Sequence, residues 1–167
     1  LVFNTAAECF IDRIVDIRER YVFMTEYVFH DYLSLCPSYF LITKEGSPCD
    51  MKNCTECLYN NPYRTVVIND IEVYRDRFRK LFKVTDEFVF FSKFSFDMVT
   101  RVYPEIADRS KIIPHEPLLS DSCSKYIKPK DDGVITVGFV GFFHHIKGSD
   151  LFIETVDELR SRGLKIK

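Results

Sequence analysis

A short β-branched run from Val134 to Val140 stops at Gly141, a loop follows, and Lys147-Gly148 leads into an amphipathic stretch from Ser149 to Arg162. Strand, glycine, loop and helix in that order commit the backbone to a βα unit. Open α/β sheets build phosphate sites at such junctions, where the N–H groups of a helix N-terminus face outward. Gly141 and Gly148 would let backbone approach closely, and Lys147 would supply positive charge. A plain βα turn with a solvated lysine accounts for the same residues equally well. The junction has neither G-x-G-x-x-G nor a P-loop, since Gly138 and Gly141 are followed by Phe142 to Lys147. A domain that opens at Val134 is expected to continue beyond Lys167.

Upstream, helical and strand patterns alternate. Asn4-Thr5 is placed to cap a helix with Phe10, Ile14, Ile17 and Tyr21 on its apolar face. Val22 to Phe29 reads as a strand ending at His30-Asp31, and Cys36 to Asn61 shows no period. Asn69 or Asp70 caps the next expected helix, which has Ile71, Tyr74, Phe78, Leu81 and Phe82 on one face and Arg75, Arg77, Arg79, Lys80 and Lys83 on a solvated one. Glu87 to Phe91 is an expected strand, Ser92 to Tyr103 a helix stopped by Pro104, and Lys111 to Ile113 a strand stopped by Pro114. Leu118 to Gly133 is polar and reads as a linker; a final strand starts at Leu164. The alternation predicts an α/β fold with parallel sheets and helices on both faces.

Composition narrows the classes. With 46% hydrophobic residues and 16 Phe, the chain has enough apolar surface for a packed core. A net charge of −2 argues against a general nucleic-acid binder. The longest apolar runs are strand-length, too short to span a bilayer. The opening Leu-Val-Phe-Asn has no basic n-region, so no signal peptide is expected. The basic face from Arg75 to Lys83 signals an anionic lipid surface only weakly.

Several side chains have the chemistry of a site. His30-Asp31 falls at a strand's C-terminal end, where an imidazole could bind a hydroxyl and a carboxylate orient it; a structural turn capped by Asp31 is the simpler reading. His115 follows Pro114 on the same edge, where a satisfied loop histidine is the plainer account. His144-His145 has no nearby carboxylates to complete a metal site. Four of the six cysteines, Cys36, Cys49, Cys54 and Cys57, fall within 22 residues. They allow a structural zinc, reduced thiols or a disulfide pair in comparable measure, and their spacing is not the paired Cys-x2-Cys of a zinc ribbon. Cys9 and Cys123 read as unpaired.

In sequence order, His30-Asp31-Tyr32, Cys36-Pro37, the Cys-x4-Cys-x2-Cys loop ending at Cys57-Leu58, Phe90 to Phe94, Lys111 to His115, Val137 to Gly141 and Lys147 to Asp150 form a pattern. From about Thr25 to Lys167 it resembles the retaining "glycosyl transferases group 1" enzymes (family 4 type). Among these it is most similar to bacterial cell-surface polysaccharide members with an HDY…CP…CxxC insert. The resemblance implies a two-domain GT-B architecture of Rossmann-like halves, truncated here at both ends. Residues 1–118 would be the later half of an acceptor-side domain, with its Cys-rich loop at 36–57. Residues 119–133 would be an interdomain linker and 134–167 the first βαβ portion of the nucleotide-sugar domain.

The resemblance also implies roles. His30 and Lys147 would be catalytic, one beside the donor sugar and the other neutralising the leaving diphosphate. Gly141, Phe142, Lys147 and Gly148 would bind donor phosphates, and Asp31 and His115 would lie on the acceptor side. The reaction would need no cofactor and would join a nucleotide-diphosphate sugar to a glycan or lipid-linked acceptor, without nucleic acid. It would take place in the cytoplasm at the inner face of the membrane, with peripheral association. Phe142 and Glu116 depart from the family pattern, and the E-x7-E signature is absent, so this chain alone would be a poor catalyst. Two rivals remain: a zinc-stabilised, non-enzymatic interaction module, and the nucleotide-binding domain of another α/β enzyme.

Overall fold

Parallel strands that alternate aromatic with other residues need helices over their aromatic face, and that requirement organises the molecule. The computed structural model describes residues 2–4, 10–115 and 133–167. Within it the chain divides into two compact units, Leu1–Glu116 and Pro117–Lys167. The expected linker lies outside the described residues except for Gly133, as do Thr5, Cys9, Glu116 and Cys123.

The first unit carries a four-stranded parallel sheet in sequential order. Its strands are β1 (Val2–Asn4), β2 (Glu26–Phe29), β3 (Glu87–Phe90) and β4 (Ser110–Ile112). Tyr27 pairs with Phe88 and Phe29 with Phe90, so the aromatics of β2 and β3 share one face. Helices α1 (Ile11–Arg20), α3 (Ile71–Lys83) and α4 (Lys93–Thr100) contribute to the cluster that buries this face. Right-handed crossovers between strands in sequential order must land on the same side. Helices on both faces were expected; α1, α3 and α4 all contribute to the cluster on the aromatic face. Val28 and Val89 alternate with the aromatics and are outside that cluster.

Phe82 of α3 is the hub of the core. Its fully buried ring meets Tyr27, Phe88 and Tyr103 edge-on at centroid distances of 5.2, 5.3 and 5.0 Å. Edge-to-face pairs place a positive ring edge against a negative face, each adding about 0.5–1.5 kcal/mol beyond burial. Asp70 caps α3 by accepting from the N–H groups of Glu72 and Val73, and Ser92 caps α4 by accepting from Ser95 N–H.

Several boundaries differ from expectation. The buried side of α1 is centred on Ile11 with Ile14 and Val15, while Phe10 and Ile17 are 54% and 46% exposed. The packed face is therefore rotated by one residue from the expected one, and Asn4 lies in β1 rather than at the helix cap. β2 begins at Glu26 rather than Val22 because Asp86 fixes Thr25 just before it. The Asp86 carboxylate accepts from Thr25 N–H at 2.7 Å and from its hydroxyl at 2.8 Å. Arg75, expected in solvent, is buried: its Nε donates to Leu35 O at 3.1 Å and its Nη1 to Glu72 at 2.8 Å. The predicted 92–103 helix ends at Thr100, and a 3-10 turn, Pro104–Arg109, precedes β4.

In the second unit the expected strand from Val134 to Val140 reduces to one parallel bridge, Ile135 with Ile166. Among the described residues the backbone bonds that support it join Ile135 and Val137 to Lys165 and Lys167. Residues 138–140 have no partner in that short ladder. Helix α5 (Ser149–Ser161) follows a 3-10 turn, His145–Lys147. Phe139 packs edge-on against Phe143 and Phe152 at 5.2 and 5.5 Å. Among the described residues, no helix is long and apolar enough to cross a membrane.

Candidate functional site

The C-terminal ends of β2, β3 and β4 lie side by side in a parallel sheet, so the residues that follow them converge whatever their separation in sequence. His30 follows β2, Phe91 and Ser92 follow β3, and His115 follows β4. Together with Asp31, Tyr32 and Ser95 they line a hollow of about 220 Å³. His115 stacks on Phe91 with ring centroids 3.8 Å apart and planes at 17°, and His30 leans on the same ring at 5.0 Å. Two imidazoles from sequence-distant loops therefore share one aromatic wall. Asp31 Oδ1 accepts from Leu33 N–H at 2.8 Å, so the carboxylate does hold the turn below the hollow.

An aromatic wall bordered by imidazole, carboxylate and hydroxyl groups suits a small ring bearing several hydroxyls. The wall takes the apolar face, and the rim offers both donors and acceptors. Sequence reading singled out His30, Asp31 and His115 as site residues; Phe91 entered only within the Phe90 to Phe94 segment, and Ser95 not at all. The available signal was Phe90-Phe91 at the end of β3: alternation sends Phe90 to the core and leaves Phe91 at the edge.

The 141–148 loop belongs to the other unit and is described on its own. Gly141 and Gly148 adopt φ of 123° and 84°, in the left-handed range that glycine tolerates without a Cβ penalty. Most of the expected phosphate donors are already engaged. Lys147 N–H donates to His144 O at 2.8 Å, Gly148 N–H to His145 O at 2.9 Å and Ser149 N–H to His144 O at 3.4 Å. Asp150 places a carboxylate in the first turn of α5, where it competes with an anion for the helix N-terminus. Phe142 is exposed and stacks with His144 at 5.9 Å. Lys147 itself is exposed at the end of the 3-10 turn.

The cysteine loop forms a third feature. Helix α2 (Cys54–Tyr59) escaped the sequence reading because six residues are too few to show a period. Cys36, Cys49, Cys54 and Cys57 line one cavity of about 280 Å³, with Lys44, Glu45, Asp50 and Glu56 among the other lining residues. All four are free thiols. Burial is the main influence on the Cys36 thiol, pushing it up to about 11, and the other three cysteines push the same way. Burial also raises Cys49. Among the described residues, no group of three or more His, Cys, Asp or Glu side chains is placed so as to hold a metal ion.

The sheet-edge hollow and the cysteine cavity both belong to the first unit, and the 141–148 loop to the second. In comparisons with known proteins, no family model, no curated protein and no solved structure matches the chain.

Proposed function

We propose that the chain is part of a retaining glycosyltransferase that moves a sugar from a nucleotide diphosphate to a glycan or lipid-linked acceptor. One observation carries the reading: His30, Asp31 and His115 gather around Phe91 at the C-terminal edge of a parallel sheet. That edge is where α/β folds bind ligands, and the side chains there match the chemistry of a sugar ring. In this reading the first unit is the later part of an acceptor-side domain, and the second opens the donor domain of a GT-B enzyme.

The residues divide the work by charge. Loss of the nucleoside diphosphate builds negative charge on the leaving oxygen and oxocarbenium character on the sugar. Lys147 meets the first with a cation, which is effective where it is positioned before the reaction begins. His30 hydrogen-bonds a sugar hydroxyl, while Asp31 and His115 face the acceptor. No second carboxylate is required if the departing phosphate takes the acceptor's proton on the same face. Such an enzyme would work in the cytoplasm, at the membrane's inner face when its acceptor is lipid-linked, and would serve cell-envelope polysaccharide synthesis.

The test is release of nucleoside diphosphate by the complete protein when UDP-, GDP- and dTDP-sugars are offered in turn. Release that collapses in Lys147→Ala supports the reading. No release from any donor by a folded protein would favour a nucleotide-binding domain of another α/β enzyme or a non-enzymatic module.

A further inference from the structure

The cysteine loop has more built into it than free thiols require. Cys36 Sγ accepts from Ser38 N–H at 3.4 Å, and Cys49 Sγ accepts from Met51 N–H at 3.3 Å. Both bonds join a sulfur to the amide two residues later, so the chain turns back around each sulfur in the same way. Asn61 Nδ2 donates to Cys57 Sγ at 3.3 Å, and Arg75 Nη2 approaches Cys54 Sγ at 3.9 Å. Every sulfur therefore faces an N–H group, two from backbone and two from side chains.

Neutral thiols and disulfide sulfurs are weak acceptors that do not require four separate donors; thiolates are stabilised by them. The turn at Cys49 also has a conformational cost. Met51 sits at φ 63°, a left-handed backbone that a non-glycine residue adopts only against steric resistance. That conformation accompanies the aiming of its N–H at the sulfur. Arg75, buried, held by Leu35 O and paired with Glu72, brings a guanidinium N–H towards Cys54.

We propose that Cys36, Cys49, Cys54 and Cys57 form a structural zinc site of four thiolates. Binding exchanges the four S–H protons for one Zn²⁺, leaving a doubly negative centre and releasing four protons. The N–H donors and Arg75 then balance that charge, as outer-shell groups do around thiolate metals. An all-sulfur tetrahedron suits zinc or iron, and a closed set of ligands with no open position suits a structural zinc. The cavity between the sulfurs must contract for them to reach the usual Zn–S distance of about 2.3 Å. The movement falls on loops joined by one isolated bridge, Ile42 with Pro48, and on the short helix α2. Zinc would tie this loop, which lacks a period of its own, to α3 through Arg75. The inference does not depend on the reaction proposed above.

The experiment is metal analysis of the chain purified under reducing conditions without chelator. Zinc close to one per chain is expected, released when a mercurial titrates four thiols. Cys36→Ser and Cys57→Ser should each abolish it, whereas Cys123→Ser, not one of the four proposed ligands, should keep it. Because the first two variants can fail to fold, the wild-type chain is also exchanged with Co²⁺. Intense visible absorption of tetrahedral thiolate cobalt is expected. Iron in place of zinc, disulfides among these four residues by mass mapping, or cobalt remaining in its weakly absorbing hydrated form would each overturn the assignment.

Discussion

His115 lies flat on Phe91, with ring centroids 3.8 Å apart and planes at 17°. His30 leans on the same ring at 5.0 Å, with planes at 40°. Replacing Phe91 with Leu keeps an apolar side chain but removes the ring current and the flat wall. The imidazole proton resonances of both histidines should then move together, while helix content stays unchanged. If only one histidine responds, the shared wall is wrong.

Asp86 joins β2 to β3 through Thr25 and accepts from Arg18 Nη2 at 3.1 Å. Hydrogen bonds from Thr25 N–H and hydroxyl, then Arg18, hold its carboxyl below the usual range. A depressed folded-state pKa means the stabilisation is present above the ordinary carboxylate pKa and is lost as pH falls through the lowered one. Asp86→Asn should therefore cost about 1–2 kcal/mol at pH 7 in urea unfolding, a discounted value for a partly exposed charged group. Below the lowered pKa, wild type and variant should converge; a constant gap at all pH values would contradict the assignment.

Lys111 is paired with both Glu87, at 2.8 Å, and Glu26, at 3.3 Å. Glu26 and Glu87 are direct cross-strand neighbours, so without the lysine two like charges face each other. Hydrogen bonds that Lys111 donates to Glu87, then to Glu26, raise the lysine above its ordinary value. This contribution is complete below that ordinary value and fades as pH rises through the higher one. Lys111→Met should lower Tm, less so in high salt because these groups are exposed. Adding Glu87→Gln should restore most of the loss; no restoration would mean the lysine acts through packing.

Much of the first unit was legible because its strands and α3 carry strong periods: Tyr27 and Phe29, Phe88 and Phe90, then Tyr74, Phe78, Leu81 and Phe82. Local pattern did not show which side of α1 faces inward, because Phe10 and Ile17 are as apolar as Ile11. It also missed Arg75, whose burial depends on carbonyl and sulfur partners from a distant loop. Apart from Gly138 the 134–140 run has strand propensity, yet its backbone bonds to residues 165–167 reach only Val137. In the hollow, the histidines and Asp31 were readable from strand ends. The wall between them needed the register of β2, β3 and β4.

Phe82→Ala removes the ring that Tyr27, Phe29, Phe88 and Tyr103 all touch. A buried Phe truncated to Ala costs about 3–5 kcal/mol, against total stabilities of about 5–15 kcal/mol for ordinary domains. Urea unfolding should shift to a much lower midpoint or lose cooperativity. A shift no larger than that of a surface substitution would place the core elsewhere.

The proposed function has His30 and Lys147 each required for glycosyl transfer. The most direct measurement is the rate of nucleoside diphosphate release by the complete protein, for wild type, His30→Ala and Lys147→Ala, with the anomeric configuration of the product read by NMR. The expected result is a fall of about 10²-fold or more in kcat for Lys147→Ala, the scale of losing one transition-state charge contact. A comparable fall is expected for His30→Ala, with the donor's anomeric configuration kept in the product. Release that is unaffected by both substitutions, or a product of inverted configuration, would contradict the account.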